Sequence, residues 1–288
     1  MGTDTLLYFL IILVYGVSSL ILMSLGLSII FGVMGVINFA HGEFLMLGAY
    51  TVMAGVNAGL NVWVSMLFAP LVVGLIGLIM ERLVIRHLYG RIIDTILATW
   101  GFSILLVQLV VLIFGPTTRG IGTPFGSFNV GLYSVSKYVF LIMGVTIVLM
   151  VLVYVLLSKT RYGIQAQATA QLPQMASALG INSERTMMLT FCLGSALSGA
   201  AGALLAPTVG VIPNMGLAFI ARAFMSVITG GQAILSGLSL AAGLLGSAQS
   251  IVSVVTQPFL GQGALLVVAI VLLRLMPQGL SGRWRRQL

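Results

Sequence analysis

The chain has 288 residues, of which 13 are Lys or Arg and 5 are Asp or Glu. Only 6% of its residues are charged and 59% are hydrophobic, against about 25% charged in a typical soluble domain; mean hydropathy is +1.16. Too few polar groups exist to cover a soluble fold, which excludes a soluble enzyme, a disordered chain and a coiled coil and leaves an all-α polytopic membrane protein.

A spanning helix needs about 20 mostly apolar residues. The first expected span runs from about Leu6 to Phe31 and is followed by a glycine-broken stretch, Gly32 to Gly42. The second runs from Glu43 to Val56 and the third from Val62 to Met80, with Pro70 inside it. A charged connector follows, carrying Glu81, Arg82, Arg86, His87, Arg91 and Asp94. The fourth span is Ile96 to Phe114, and a polar loop leads to the fifth, Tyr138 to Leu157. The longest polar connector is Ser158 to Arg185. Spans six to nine are Met187 to Leu205, Leu217 to Thr229, Leu238 to Val255 and Ala264 to Met276. Seven of the eight prolines fall in connectors or at span ends, where a missing backbone donor does least harm. Strict apolar–polar alternation is absent, which argues against a β-barrel. The N-terminus has Asp4 and no Lys or Arg before its first apolar run, so no basic signal-peptide n-region is expected.

Basic residues set the expected orientation. Arg82, Arg86 and Arg91, then Lys159, Arg161 and Arg185, then Arg274, Arg283, Arg285 and Arg286 account for ten of the thirteen. Arg119, Lys137 and Arg222 are left for the other side. Nine spans put all three basic groups on the cytoplasmic face, with the N-terminus periplasmic and the C-terminus cytoplasmic. The Gly32–Tyr50 stretch and the Gly230 break leave eight or ten spans open. The net charge of +8 therefore speaks for topology and not for nucleic acid. Gly35-Val-Ile-Asn38 and Gly210-Val-Ile-Pro-Asn214 echo each other, although four or five residues is a match expected by chance.

The most informative stretch is Gly26 to Tyr50, which places Asn38, His41 and Glu43 within six residues among Gly32, Gly35, Gly42 and Gly48. Burying such groups in lipid is expensive unless they pair or face water. Two readings stay open here: a broken segment lining a solute pathway, or a polar surface turn in which Asn38 caps the next helix. Thr99-Trp100 is a further candidate for the pathway lining, and Gly230-Gly231 marks a break after the seventh span. Asp94 and Glu81 are expected to pair with neighbouring arginines at the surface.

The stretch GLSIIFGVMGVINFAHGEFLMLGAY resembles the signature of the inner-membrane permease subunit of branched-chain amino-acid ABC importers, a family that includes urea and short-chain amide importers. The chain is similar to the shorter permease of such systems. The resemblance continues through Glu81-Arg-Leu-Val-Ile-Arg-His, Leu97-Ala-Thr-Trp-Gly-Phe-Ser103, Phe114-Gly-Pro, Met175-Ala-Ser-Ala-Leu-Gly-Ile-Asn182 and Met276-Pro-Gln-Gly-Leu280. It implies a single transmembrane permease domain over residues 1–288. Asn38, His41, Gly42, Glu43, Thr99, Gly230 and Gly231 are the candidates for the substrate pathway or its gate.

The connector of residues 158–185 reads independently as a docking element. Gly163 to Leu179 is rich in Ala and Gln, low in charge and broken at Pro173, the pattern of a short helix pair that can enter a groove on a partner. Gly180 permits the turn back. The resemblance implies that this is the coupling loop seated in an ATPase subunit, with Gln165, Gln167, Ala170, Gln171, Pro173, Met175, Leu179 and Gly180 as its contact residues. It further implies a homologous longer permease, two ATP-binding cassette subunits and a periplasmic solute-binding protein as partners in the bacterial inner membrane. The chain departs from the family pattern at Gln165 to Gln167, where a basic residue is usual, and at Ala233, where glycine is usual.

No Gly-x-x-x-x-Gly-Lys motif is present, so ATP would be used by the partner subunits, and no cofactor or metal is expected on this chain. Ser195 and Ser198 lack a histidine at any plausible spacing, which argues against an intramembrane protease. A self-contained channel or a secondary transporter is the rival class. A secondary transporter would normally carry more buried acids, and Glu43 is the sole candidate. As to solute, the Leu97-Ala-Thr-Trp-Gly and Arg86-His-Leu-Tyr-Gly-Arg91 stretches lean toward the urea or amide branch.

Overall fold

The structure is a computed structural model and describes residues 3–118, 120–231 and 233–283. Of the basic residues used for orientation, Arg119, Arg285 and Arg286 lie outside the described residues. Eleven α-helices occur in chain order among the described residues: α1 (Thr3–Met34), α2 (His41–Asn57), α3 (Val62–Leu83), α4 (Ile92–Phe114), α5 (Tyr138–Lys159), α6 (Arg161–Gln171), α7 (Pro173–Ala178), α8 (Ser183–Val209), α9 (Met215–Gly230), α10 (Ile234–Val255) and α11 (Pro258–Leu275). Seven of them, α1, α3, α4, α5, α8, α10 and α11, are long and apolar enough to cross a membrane. The second and seventh expected spans correspond to shorter helices, α2 with 17 residues and α9 with 16. The protein is an all-α polytopic membrane fold.

Local chemistry sets the boundaries. Asn61 caps α3 by accepting the Trp63 N–H at 3.0 Å, and Asn182 caps α8 by accepting the Arg185 N–H at 2.9 Å. Pro173 and Pro258 open α7 and α11, where a proline costs no helical hydrogen bond. Pro207 departs from expectation: it lies inside α8, whose last turn continues to Val209. Helix α8 also begins at Ser183, so the polar connector ends earlier than its composition suggested.

The outer faces of the spanning helices are apolar, as lipid requires. On α4, Ile93, Leu97, Trp100, Ile104 and Leu112 are exposed, while Thr95, Thr99, Ser103, Leu106 and Val110 are buried at helical spacing. Hydroxyl and apolar faces have thus changed places relative to a soluble helix.

The loop before α5 holds an element the sequence reading missed. Strands β1 (Ser127–Val130) and β2 (Tyr133–Ser136) pair antiparallel with Val130 opposite Tyr133. The two-residue turn Gly131-Leu132 has Gly131 at φ +58°, the conformation that tight hairpins demand. Four-residue strands are too short for alternation to stand out.

The chain divides into two compact units. One comprises Met1–Ser24, Gly122–Met150 and Arg222–Leu288. In it Ile11, Val130, Val135 and Val139 form one apolar cluster, and Leu20, Ala242, Leu245, Leu265 and Ala269 another. Tyr8 stacks on Tyr133 of the hairpin with ring centroids 4.2 Å apart. The other unit comprises Leu25–Ile121 and Val151–Ala221. There α2, α3 and α8 pack with almost no side-chain spacer: a Cβ on Gly48 would fall on the Gly199 carbonyl oxygen, one on Gly202 on that of Leu45, and one on Gly77 on the Ser195 hydroxyl. Small residues let backbones approach where no hydrophobic gradient drives helices together.

Candidate functional site

The α1–α2 break lies in the second unit, and its polar side chains are enclosed although Phe39 is exposed: Asn38 and His41 are 0% exposed and Glu43 is 1% exposed. Helix α1 is closed, just after its last residue, by Gly35, at φ +63°, whose N–H bonds the Phe31 carbonyl at 3.0 Å. A non-helical run then leads to a turn in which Asn38 Oδ1 accepts the Ala40 N–H at 3.0 Å. Asn38 therefore makes a buried turn and does not cap α2, whose N-cap is Ala40 and takes no side-chain hydrogen bond.

Three other helices close on this break. Helix α4 presents Thr99 and Ser103, one turn apart. Thr99 Oγ1 accepts the Phe39 N–H at 3.1 Å, and Ser103 Oγ donates to Glu43 Oε1 at 2.9 Å. Helix α8 presents Ser198, whose hydroxyl donates to the Gly194 carbonyl at 2.8 Å and lies 3.2 Å from His41 Nδ1. Helix α9 presents the bare backbone of Gly216. A Cβ on Gly42 would fall on the Gly216 carbonyl oxygen, and one on Gly216 on the Glu43 carboxylate.

The approach to α9, like that to α2, begins at a left-handed glycine. Helix α8 is capped by Gly210, at φ +78°, whose N–H bonds the Ala206 carbonyl at 3.1 Å. Val211-Ile-Pro-Asn214 then leads into α9, as Val36-Ile-Asn38 leads toward α2. The two stretches share a left-handed glycine that closes the preceding helix, and Gly42 and Gly216 bring the starts of α2 and α9 together.

Asn38, His41, Gly42, Glu43 and Thr99 are thus gathered at one place. Ser103, Ser198 and Gly216 belong with them and were missed, because small residues in an apolar helix give no signal of their partners. Trp100, beside Thr99, is 56% exposed on the outer face of α4. Gly230 and Gly231 lie in the other unit. There Gly231, at φ +82°, abuts the turn Gln278–Ser281, and Ser281 Oγ accepts the Ala233 N–H at 3.2 Å. Gln232, between them, lies outside the described residues.

The connector residues form a second cluster. Thr160 caps α6 by accepting the Gly163 N–H at 3.2 Å, Gln167 Nε2 donates to the Leu157 carbonyl at 3.0 Å, and the Tyr162 hydroxyl meets Thr190 of α8 at 2.7 Å. Pro173 O accepts hydroxyls from Ser177 and Ser183. Gly180, at φ +86°, ends the α7 turn. Gln165, Ala170, Gln171, Pro173, Met175, Leu179 and Gly180 are exposed. Nearby, Arg91 pairs with Asp94 at 3.9 Å, as expected, and Arg86 meets Glu184 at 3.9 Å. Glu81 corrects the expectation. It is 0% exposed and accepts the Tyr89 hydroxyl at 2.6 Å, because the end of α3 packs inward against its connector. Burial, and then the hydrogen bond to Glu81, hold Tyr89 protonated well above the usual phenol range.

Among the described residues no grouping of His, Cys, Asp or Glu could hold a metal ion. No solved structure matches the chain. Residues 9–276 match the family described as branched-chain amino acid transport system / permease component. The high-affinity branched-chain amino acid transport system permease protein LivH of Escherichia coli is 31% identical over 98% of both chains. The permease protein BraD of Pseudomonas aeruginosa, of the same description, is 33% identical over 81% of both. A probable branched-chain amino acid transport permease protein LivH of Methanocaldococcus jannaschii is 26% identical over 93% of this chain and 90% of its own. The chain belongs to this permease family, and with it is a multi-pass inner-membrane transport subunit of an ABC importer.

Proposed function

We propose that this subunit forms half of a pathway carrying branched-chain amino acids inward by alternating access, driven by ATP hydrolysis on separate subunits. The relatives' names favour branched-chain amino acids over the urea or amides toward which two sequence stretches lean. The partners would be a homologous longer permease, two ATP-binding subunits and a periplasmic binding protein that delivers the solute. Lipid surrounds the apolar outer faces.

The observation that carries the coupling role is exposed apolar surface on a segment outside the expected spans. Ile164, Leu172, Met175 and Leu179 are 66%, 60%, 61% and 80% exposed on α6, α7 and their ends. Such a patch marks a partner site, and its anchors on α5 and α8 tie it to spanning helices.

Nine crossings, with α2 and α9 as the two short ones, fit contacts within each unit. Arg86 reaches Glu184, so the connector after α3 shares a face with the start of α8. Tyr8 reaches Tyr133, so the N-terminus shares a face with the α4–α5 hairpin. Gly231 abuts Gln278–Ser281, so the α9–α10 turn shares a face with the C-terminus. All three relations agree with a periplasmic N-terminus and cytoplasmic C-terminus. The polar break at Asn38, His41, Gly42, Glu43 and Thr99 would then be a closed gate, joined to each neighbouring helix by few bonds and able to part from them. Gly230 and Gly231 would serve as a turn that yields on opening.

The test replaces Met175 and Leu179 together by Glu. The expected result is normal membrane insertion with loss of co-purification with the ATP-binding subunits and loss of uptake in proteoliposomes. Retained co-purification would sink the docking role. Solute flux at a normal rate through this chain alone would favour a channel.

A further inference from the structure

Two side-chain atoms at the α1–α2 break make no hydrogen bond: Asn38 Nδ2 and Glu43 Oε2. Both residues are enclosed, at 0% and 1% exposure. Buried polar groups normally find partners, so each unmet one calls for an explanation. Here the two unmet atoms are complementary. The Asn38 amide nitrogen can only donate, and an oxygen of an ionised Glu43 can only accept. Their sister atoms are already committed, Asn38 Oδ1 to the Ala40 N–H and Glu43 Oε1 to the Ser103 hydroxyl. Each residue is therefore held in place by one atom and offers the other.

The surroundings leave that offer unanswered. No salt bridge to Glu43 occurs among the described residues. On the α9 side Glu43 meets Gly216, which contributes no side chain, and any Cβ there would overlap the carboxylate. Thr99 and Ser198 spend their hydroxyls on neighbouring carbonyls, of Ile96 and Gly194. The six residues from Asn38 to Glu43 thus carry a spare donor and a spare carboxyl oxygen at a place where four helices meet.

We propose that, when this gate opens, Glu43 Oε2 receives the ammonium group and Asn38 Nδ2 the carboxylate of an α-amino acid in transit. The assignment rests on the pathway reading given above. A zwitterion answers both atoms and supplies the cation that Glu43 lacks. An uncharged amide or urea answers the hydrogen bonds but not the charge, and charge-assisted bonds are the stronger ones.

The test uses the intact transporter in nanodiscs without its binding protein and reads weak ligand contact by saturation-transfer NMR. The probes are leucine, 3-methylbutan-1-amine, which lacks the carboxylate, 4-methylpentanoate, which lacks the ammonium, and urea. Glu43→Gln should weaken leucine and the amine about tenfold and leave 4-methylpentanoate unchanged. Asn38→Ala should weaken leucine and 4-methylpentanoate by a similar factor and leave the amine unchanged. Glu43→Asp should restore amine binding, which a merely structural role would not require. Co-purification with the ATP-binding subunits and an unchanged elution volume on size exclusion verify that each variant is folded. Equal weakening of both analogues in either variant, preference for urea over leucine, or no leucine signal in the unaltered protein would overturn the assignment. Uptake separates the two levels. Normal leucine transport by Glu43→Gln removes the pathway reading itself, whereas impaired transport with equal weakening of both analogues removes only the assignment of ammonium and carboxylate.

Discussion

Replacing Gly48 by Ala tests the packing that encloses the candidate site. Gly48 lies on α2 and faces α8 across a gap with no side chain in it. The added Cβ would overlap the Gly199 carbonyl oxygen and stand 2.8 Å from both the carbonyl carbon and Cα of Gly199. Carbon atoms settle at about 3.5–4.0 Å, so α2 and α8 must separate by roughly 1 Å. Both colliding partners are backbone, and no rotamer change relieves them. Overpacking of this kind costs about 1–3 kcal/mol, less the roughly 0.5–1 kcal/mol that Ala gains over Gly in a helix. Because both clash partners are backbone the upper end of that range applies, a net of about 2 kcal/mol, which for a chain of this size is a fall of roughly 4–8 °C in apparent melting temperature. The assay is fluorescence-detected size exclusion of the detergent-solubilised protein after heating, beside leucine uptake. Gly101→Ala is the control, because Gly101 lies in α4 with nothing within 4 Å of its Cβ position. It should leave stability unchanged or slightly raised. Equal melting temperatures for Gly48→Ala and the unaltered protein, or an equal fall for Gly101→Ala, would refute the close α2–α8 approach.

Tyr89→Phe removes the hydroxyl that Glu81 accepts at 2.6 Å, and Glu81 Oε2 already makes no hydrogen bond. The loss should be about 1.5–3 kcal/mol in thermal stability, partly recovered by adding Glu81→Gln. A Tyr89→Phe protein as stable as the parent would show that the carboxylate is hydrated. Gly231→Ala forces a side chain onto a left-handed residue at φ +82° and sets its Cβ 2.7 Å from Gln278 O. The left-handed conformation alone costs about 1–2 kcal/mol, so the apparent melting temperature should drop. An unchanged value would mean that the α9–α10 turn is not held by the C-terminal turn.

Much of the architecture was legible because hydropathy is a local sum. Lipid requires every backbone group to bond within its own helix, so each long apolar run announces a helix whatever its neighbours do. The positions of all nine expected spans overlap helices of the structure, and the α6–α7 pair breaks at Pro173 as its sequence implied. The cluster at Asn38, His41 and Glu43 was equally visible, since polar residues inside an apolar run are exceptions that a window detects. Tertiary structure alone decided what those residues meet. Ser103 lies 60 residues from Glu43, and Ser198 lies 157 from His41. A serine in an apolar helix reads as a small residue until the facing chain is known, and hydrogen-bond pairing is a property of two segments together. The same reason explains Glu81, whose charge pointed to the surface until the fold of its connector supplied a buried phenol. Composition was sufficient for the membrane and sequence motifs for the family. Which polar atoms are matched, and which remain unmatched, depended on helices converging from distant parts of the chain.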